Sequence, residues 1–287
     1  MIKLIRAASV SILLAFSYCE AKMVKTDKIA DIEIEFAQAD DETLVIIDCD
    51  GVLIEPVDNV LKTQNARFCF KMLDDYAKKL KETSFSEKEI NEEIRLIMSI
   101  GWKSAKQELL NKEWPELIKA LQSRGIKVVL LSACGTGGWG VIKSTSEWRY
   151  DELLKFGIDF KKSWLGFKKI VFSDFGLRKD RVWKGYPVFE NGMLLSANEQ
   201  KGDVLKAFLA KIPQYKFKKI IFIDDHQNMI ESVQKAADDL GIKSVCIEYV
   251  YASTKKFPPL DEEKAKKQGE ILCKERRWVS DEEIQKY

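Results

Sequence analysis

Three four-residue apolar runs, Leu44-Val45-Ile46-Ile47, Val128-Val129-Leu130-Leu131 and Ile220-Ile221-Phe222-Ile223, each stop on a polar side chain: Asp48, Ser132 and Asp224. Short runs with no polar alternation are the mark of strands buried on both faces, and such strands belong to parallel sheets covered by helices. Helical spacing fills the segments between them. Arg67 to Leu80 carries Phe68, Met72, Leu73 and Tyr76, and Ser86 with Glu89 forms a capping box before the Ile90, Ile94, Ile97 stripe, which Gly101 is expected to close. Trp114-Pro115 opens a further helix, and others are expected over Glu147 to Phe156, Gly202 to Ala210 and Met229 to Leu240. Val188 to Leu195, with Asn191-Gly192 at its centre, reads as a hairpin. Strands alternating with helices predict an α/β fold built on a doubly wound parallel sheet. Ligands of such sheets bind outside the carboxyl ends of the strands, which is where these polar residues stand.

Asp48-Cys49-Asp50-Gly51 sends two carboxylates off one strand into a glycine turn. Side chains two apart on an extended segment point the same way, so Asp48 and Asp50 are expected to face one pocket, with Cys49 turned away. Plainer readings stand beside this one. Asp and Gly are ordinary turn residues, Asp224-Asp225 suits the start of a helix, Lys201 is a surface lysine and Ser132 a strand-end hydroxyl. Ser132 to Gly140 is glycine-dense, and its backbone N–H groups are either an anion nest or a plain loop.

In order along the chain, Asp48-Cys49-Asp50-Gly51-Val52-Leu53, the strand ending in Ser132, the lone Lys201 before Gly202, and the strand ending in Asp224-Asp225 resemble the haloacid dehalogenase (HAD) superfamily. The resemblance covers about residues 42 to 250 and is nearest to a secreted, HAD-like phosphatase branch of bacteria. It implies a Rossmann-like core with a helical cap inserted after the first motif, placed over 54–112. It also implies Mg²⁺-dependent hydrolysis of a small phosphomonoester through an aspartyl-phosphate. Asp48 would attack phosphorus and Asp50 would serve as acid and base. Ser132 and Lys201 would hold phosphate, and Asp48, Asp50, Asp224 and Asp225 would hold the metal, Asp50 through its backbone carbonyl. Two alternatives stand: a phosphotransferase or phosphomutase on the same fold, and a secreted binding or effector protein without turnover.

Of 287 residues, 46% are hydrophobic, which suffices for a large core. A formal charge of +2 carries no whole-chain signature of nucleic-acid binding. Lys3 and Arg6 precede the apolar stretch Ala7 to Tyr18, and Cys19-Glu20-Ala21 offers small residues at the −3 and −1 positions for cleavage after Ala21. That is the pattern of a signal peptide over 1–21 and predicts an exported protein, periplasmic or secreted. The stretch is too short for a span, so no stable membrane span is expected after cleavage. Cys19 raises a minority lipoprotein reading, against which Tyr18 is bulky where a small residue is wanted. The core is expected over 22–260 and a helical tail over 261–287, with a helix from Asp261 and a second capping box at Ser280 and Glu283. His226, the single histidine, is expected to have a local turn role. The basic stretch Arg178-Lys179-Asp180-Arg181 reads as a solvated face, or as an attraction for an anionic substrate.

Overall fold

The computed structural model describes residues 21–177 and 185–286; the first 20 residues of the expected signal segment and the basic stretch around Arg178 lie outside them. Its main sheet has the order β1 (Lys22–Thr26), β10 (Lys243–Tyr249), β9 (Lys219–Asp224), β2 (Thr43–Ile47), β5 (Lys127–Ser132), β8 (Met193–Leu195), β7 (Val188–Glu190), β6 (Ile170–Val171). The pairings from β1 through β8 are parallel, and β7 and β6 continue antiparallel. The chain is therefore α/β with a mostly parallel, Rossmann-like sheet.

Alternate residues of each central strand explain the two helical layers. Val45, Ile47, Val128, Leu130, Ile221 and Ile223 share one core with Ile32 and Phe36 of α1 (Ile29–Ala37), Trp114 and Ile118 of α4 (Trp114–Ser123), and Leu153 of α5 (Thr145–Lys155). Leu44, Ile46, Val129, Leu131, Ile220 and Phe222 share the other with Phe208 of α6 (Lys201–Lys211) and Ile230 and Val233 of α7 (Gln227–Asp239). Helices on both faces leave no polar face on these strands, which is why their sequences run unbroken. The Asn191-Gly192 hairpin forms as expected, with both turn residues at positive φ, 54° and 76°.

Two elements escape the sequence pattern. Lys22 to Gln38 reads as a polar segment, yet it forms β1 and α1. β1 is an edge strand with a single neighbour, β10, and most of its side chains are exposed, so it needs little hydrophobicity to pair.

The insertion is a stem carrying helices. β3 (Ile54–Pro56) and β4 (Gln107–Leu109) pair antiparallel, and the Leu110 N–H closes their base on the Leu53 carbonyl at 3.0 Å. Between them lie α2 (Ala66–Glu82) and α3 (Glu87–Ser104), the latter opened by the Ser86–Glu89 capping box. Gly101 does not close α3. It sits inside the helix, buried under Leu272 and Trp278.

After the short α8 (Tyr251–Thr254), the tail helix α9 (Glu262–Glu275) packs on this insertion. Val60, Ile97, Ala105, Ala265, Leu272 and Trp278 form one small core. Asp58 ties it further, accepting from Trp278 Nε1 at 2.7 Å and from the Asp281 N–H at 2.8 Å. Insertion and tail are thus one packed layer rather than two appendages. The helical periodicity shows that each helix has an apolar face, not which surface covers it.

Candidate functional site

Register fixes which side chains meet. Ile47 pairs with Ile223 on one side and with Leu130 on the other. Asp48 therefore leaves β2 level with Asp224 at the end of β9, and Ser132 ends β5 one residue further on. The Asp48 N–H still bonds to the Ile223 carbonyl, at 2.9 Å, so the carboxylate is carried on sheet backbone rather than on a loop.

Lys201, the first residue of α6, is 2% exposed. Its Nζ donates to Asp48 Oδ1 and to Asp224 Oδ2, both at 2.6 Å. Burial opposes its charge, but the two carboxylates outweigh burial and hold the ammonium up. Burial likewise pushes the Asp48 and Asp224 carboxyls up, with Lys201 pulling both back. One cation between two buried carboxylates leaves the cluster short of positive charge. Lys201, expected to hold phosphate, bridges these two acids at the strand ends.

Asp50 turns elsewhere. Its Oδ2 accepts from Arg149 Nη2 of α5 at 3.0 Å, and Arg149 is 3% exposed. A second buried cation thus serves Asp50, apart from Lys201. Arg149 was missed because one arginine within a helical pattern looks solvated, and only the fold buries it. Cys49 is fully buried in the neighbouring core, with Cys134 packed beside it. Burial pushes both thiols up.

Asp225 packs over the turn. Gly51 has φ +84°, and a Cβ there would lie 2.3 Å from Asp225 Oδ2, so both conformation and contact require glycine at this position. The other oxygen, Oδ1, bonds to His226 Nδ1 at 2.7 Å. That bond raises His226 to about 9. The His226 N–H donates to Asp224 Oδ1 at 2.9 Å and stands at the N-cap of α7. Asp224 therefore touches the start of α7 only through the N–H of its N-cap residue and does not itself cap the helix.

The residues suit a hard divalent cation. Asp48, Asp224 and Asp225 supply carboxylate oxygens, the ligands Mg²⁺ takes, and the shortage of positive charge around Asp48 and Asp224 is what a cation would relieve. Asp224, Asp225 and His226 offer ligand atoms within 4.8 Å of one another.

Ser132 is 3% exposed, and its Oγ accepts from the Cys134 N–H at 3.2 Å. The glycine-dense loop after it bridges the core and the insertion. Thr145 Oγ1 of α5 donates to the Gly135 carbonyl at 2.7 Å. On the other side, Arg95 Nη2 of α3 donates to the Gly138 carbonyl and the Val141 N–H donates to Ser99 Oγ at 2.9 Å.

No helix among the described residues is long and apolar enough to cross a membrane. Residues 25–285 match the family described as protein of unknown function (DUF2608), and the chain belongs to it. It is similar to an uncharacterized protein of Rickettsia felis, 23% identical over 256 residues that cover 86% of this chain and 82% of the relative. A protein of Rickettsia bellii is 22% identical over 247 residues, covering 84% and 80%. Protein RT0286 of Rickettsia typhi is 28% identical over 149 residues, 52% of this chain and 49% of its own. No solved structure matches the chain.

Proposed function

We propose that this chain is an exported, Mg²⁺-dependent phosphomonoester hydrolase of the HAD type, with residues 54–112 as its cap. The observation that carries the reading is the Lys201 bridge. A buried ammonium joins Asp48 and Asp224 at the ends of adjacent parallel strands, with Ser132 ending the strand on the other side of Asp48. Export is supported by the position of β1, which starts at Lys22, directly after the cleavage expected at Ala21.

Phosphate ester hydrolysis needs a nucleophile, a proton donor and compensating positive charge. An Asp48 oxygen attacks phosphorus, the ester P–O bond breaks, and the departing oxygen takes a proton from Asp50. Asp50 then removes a proton from water, which attacks the aspartyl-phosphate, frees phosphate and restores the Asp48 carboxylate. Lys201 offsets charge at Asp48 throughout, and the Ser132 hydroxyl holds a phosphate oxygen. Asp48, Asp224, Asp225 and the Asp50 carbonyl would hold Mg²⁺, which supplies positive charge to the phosphoryl group.

The test is a screen of the purified chain against aryl phosphates and a phosphometabolite panel, with and without Mg²⁺, beside Asp48→Asn. The native chain should release phosphate, and Asp48→Asn should lose many orders of magnitude in rate with its fold intact. Activity surviving in pure Asp48→Asn refutes the nucleophile. Transfer of phosphate to added alcohols or sugars in preference to water marks a phosphotransferase. Tight binding without turnover marks the binding-protein reading.

A further inference from the structure

Arg149 has no place in the mechanism so far, yet its surroundings give it one. Among the described residues its guanidinium is almost entirely buried and donates to Asp50 Oδ2 at 3.0 Å, with the Cys134 thiol also in hydrogen-bonding reach. A buried ion pair is a poor way to stabilise a fold, since apolar residues of similar volume do as well or better. The helix that carries Arg149 is held firmly. Thr145 Oγ1 anchors the first turn of α5 to the Gly135 carbonyl, and Ser146 Oγ donates to Glu190 Oε2 at 2.9 Å. The guanidinium is therefore delivered to Asp50 by a rigid element tied to the loop after Ser132.

The bonding pattern separates the two oxygens of Asp50. Guanidinium groups only donate, so Oδ2 is committed as an acceptor. Oδ1 is buried and has no partner among the described residues, as are Arg149 Nε and Nη1. The Asp50 side chain is nonetheless 36% exposed, so the carboxylate is reached from solvent while Arg149 holds it from the buried side. We infer that Arg149 is a positioning residue for Asp50, fixing the orientation of the carboxylate that exchanges a proton with the leaving oxygen and then with water. This rests on the phosphatase reading above and deepens it. The consequence is selective: substrates whose leaving oxygen needs a proton depend on Arg149, and those whose leaving oxygen departs as a stable anion do not.

The experiment compares kcat/KM, which reports the steps through leaving-group departure, for p-nitrophenyl phosphate and for glycerol phosphate. The proteins are the native chain, Arg149→Met, Arg149→Lys, Asp50→Asn and the double variant Asp50→Asn with Arg149→Met. Arg149→Met should lose on the order of a hundredfold on glycerol phosphate and much less on p-nitrophenyl phosphate. Arg149→Lys should recover part of the loss, and the double variant should be no worse than Asp50→Asn. Equal losses on both substrates, or losses that add in the double variant, overturn the inference. If Arg149→Met fails to fold, Arg149→Lys carries the comparison: a loss confined to glycerol phosphate supports the inference, and an equal loss on both overturns it. A native chain inactive on both substrates and on the whole phosphometabolite panel defeats the phosphatase reading itself, whereas an active native chain with the wrong pattern in the variants defeats only the role of Arg149.

Discussion

Lys201 Nζ lies 2.6 Å from Asp48 Oδ1, although 153 residues separate the two in sequence. The contact arises because α6 begins beside the end of β9, whose neighbour in the sheet is β2. Both partners are almost wholly buried, so neither is screened by water as a surface pair would be. Their cluster is the best-defined polar feature at this edge of the sheet.

Removing the ammonium should therefore be costly to the fold as well as to chemistry. Lys201→Met keeps the length of the side chain but leaves Asp48 and Asp224 without their shared cation. Breaking one side of a buried pair costs about 3–5 kcal/mol. Urea denaturation of the metal-free protein should show a loss of that order, partly restored by Mg²⁺. A change within about 0.5 kcal/mol would mean that Lys201 is a dispensable surface group.

Metal dependence follows from the same cluster. Activity should vanish in excess chelator and return with Mg²⁺, and Asp224→Asn should shift the Mg²⁺ titration more than Asp225→Asn. Asp224 is fully buried against Lys201, whereas Asp225 is shared with the half-exposed His226. Full activity in chelator would leave the acidic pair as polar contacts at the start of α7 and nothing more.

His226 is the only histidine, so a single imidazole Cε1–H resonance reports on the site. In the metal-free protein its titration midpoint should lie near 9, raised by the hydrogen bond it donates to Asp225. A histidine held above its ordinary value contributes stability that is complete below about 6.5 and is lost as pH rises through about 9. The side chain is more than half exposed, so that contribution is small, but the midpoint itself is measurable. Asp225→Asn, or saturating Mg²⁺, should lower it. A native midpoint at the ordinary histidine value would deny the Asp225 contact.

The sheet edge was legible because strands buried on both faces leave unbroken apolar runs, and the residue ending each run has to sit at the carboxyl edge. Asp48, Ser132 and Asp224 follow from that pattern, and Lys201 follows from order along the chain. Arg149 does not. Its helix carries charges all along, and nothing in Thr145 to Lys155 says that this one faces inward. The union of α9 with the insertion was equally hidden, because Leu272 and Trp278 reveal an apolar surface without naming Ile97 and Val60 as its partners.

Trp278 offers a test of that union which separates packing from charge. Its ring lies in the small core shared by insertion and tail, and its Nε1 donates to Asp58 Oδ2 at 2.7 Å. Burial pushes the Asp58 carboxyl up, with the Asp281 N–H and Trp278 bonds pulling it back. Trp278→Phe keeps most of the apolar contact and removes the donor, so the ionised form of Asp58 loses support and its folded-state value rises further. For a carboxyl raised on folding, stability is retained at low pH and lost as pH rises through the folded value. The variant should therefore be less stable than the native chain by about 1.5–3 kcal/mol near neutral pH, the worth of a hydrogen bond to a charged group. The gap should narrow as the pH falls and Asp58 protonates in both proteins. Trp278→Ala, which also empties the core, should add a pH-independent loss for a total of about 3–5 kcal/mol. Urea denaturation of the three proteins at neutral and acidic pH reads both effects. A Trp278→Phe gap that stays constant with pH would show that Asp58 is not held through the indole, and an unchanged stability in Trp278→Ala would show that the tail does not pack on the insertion.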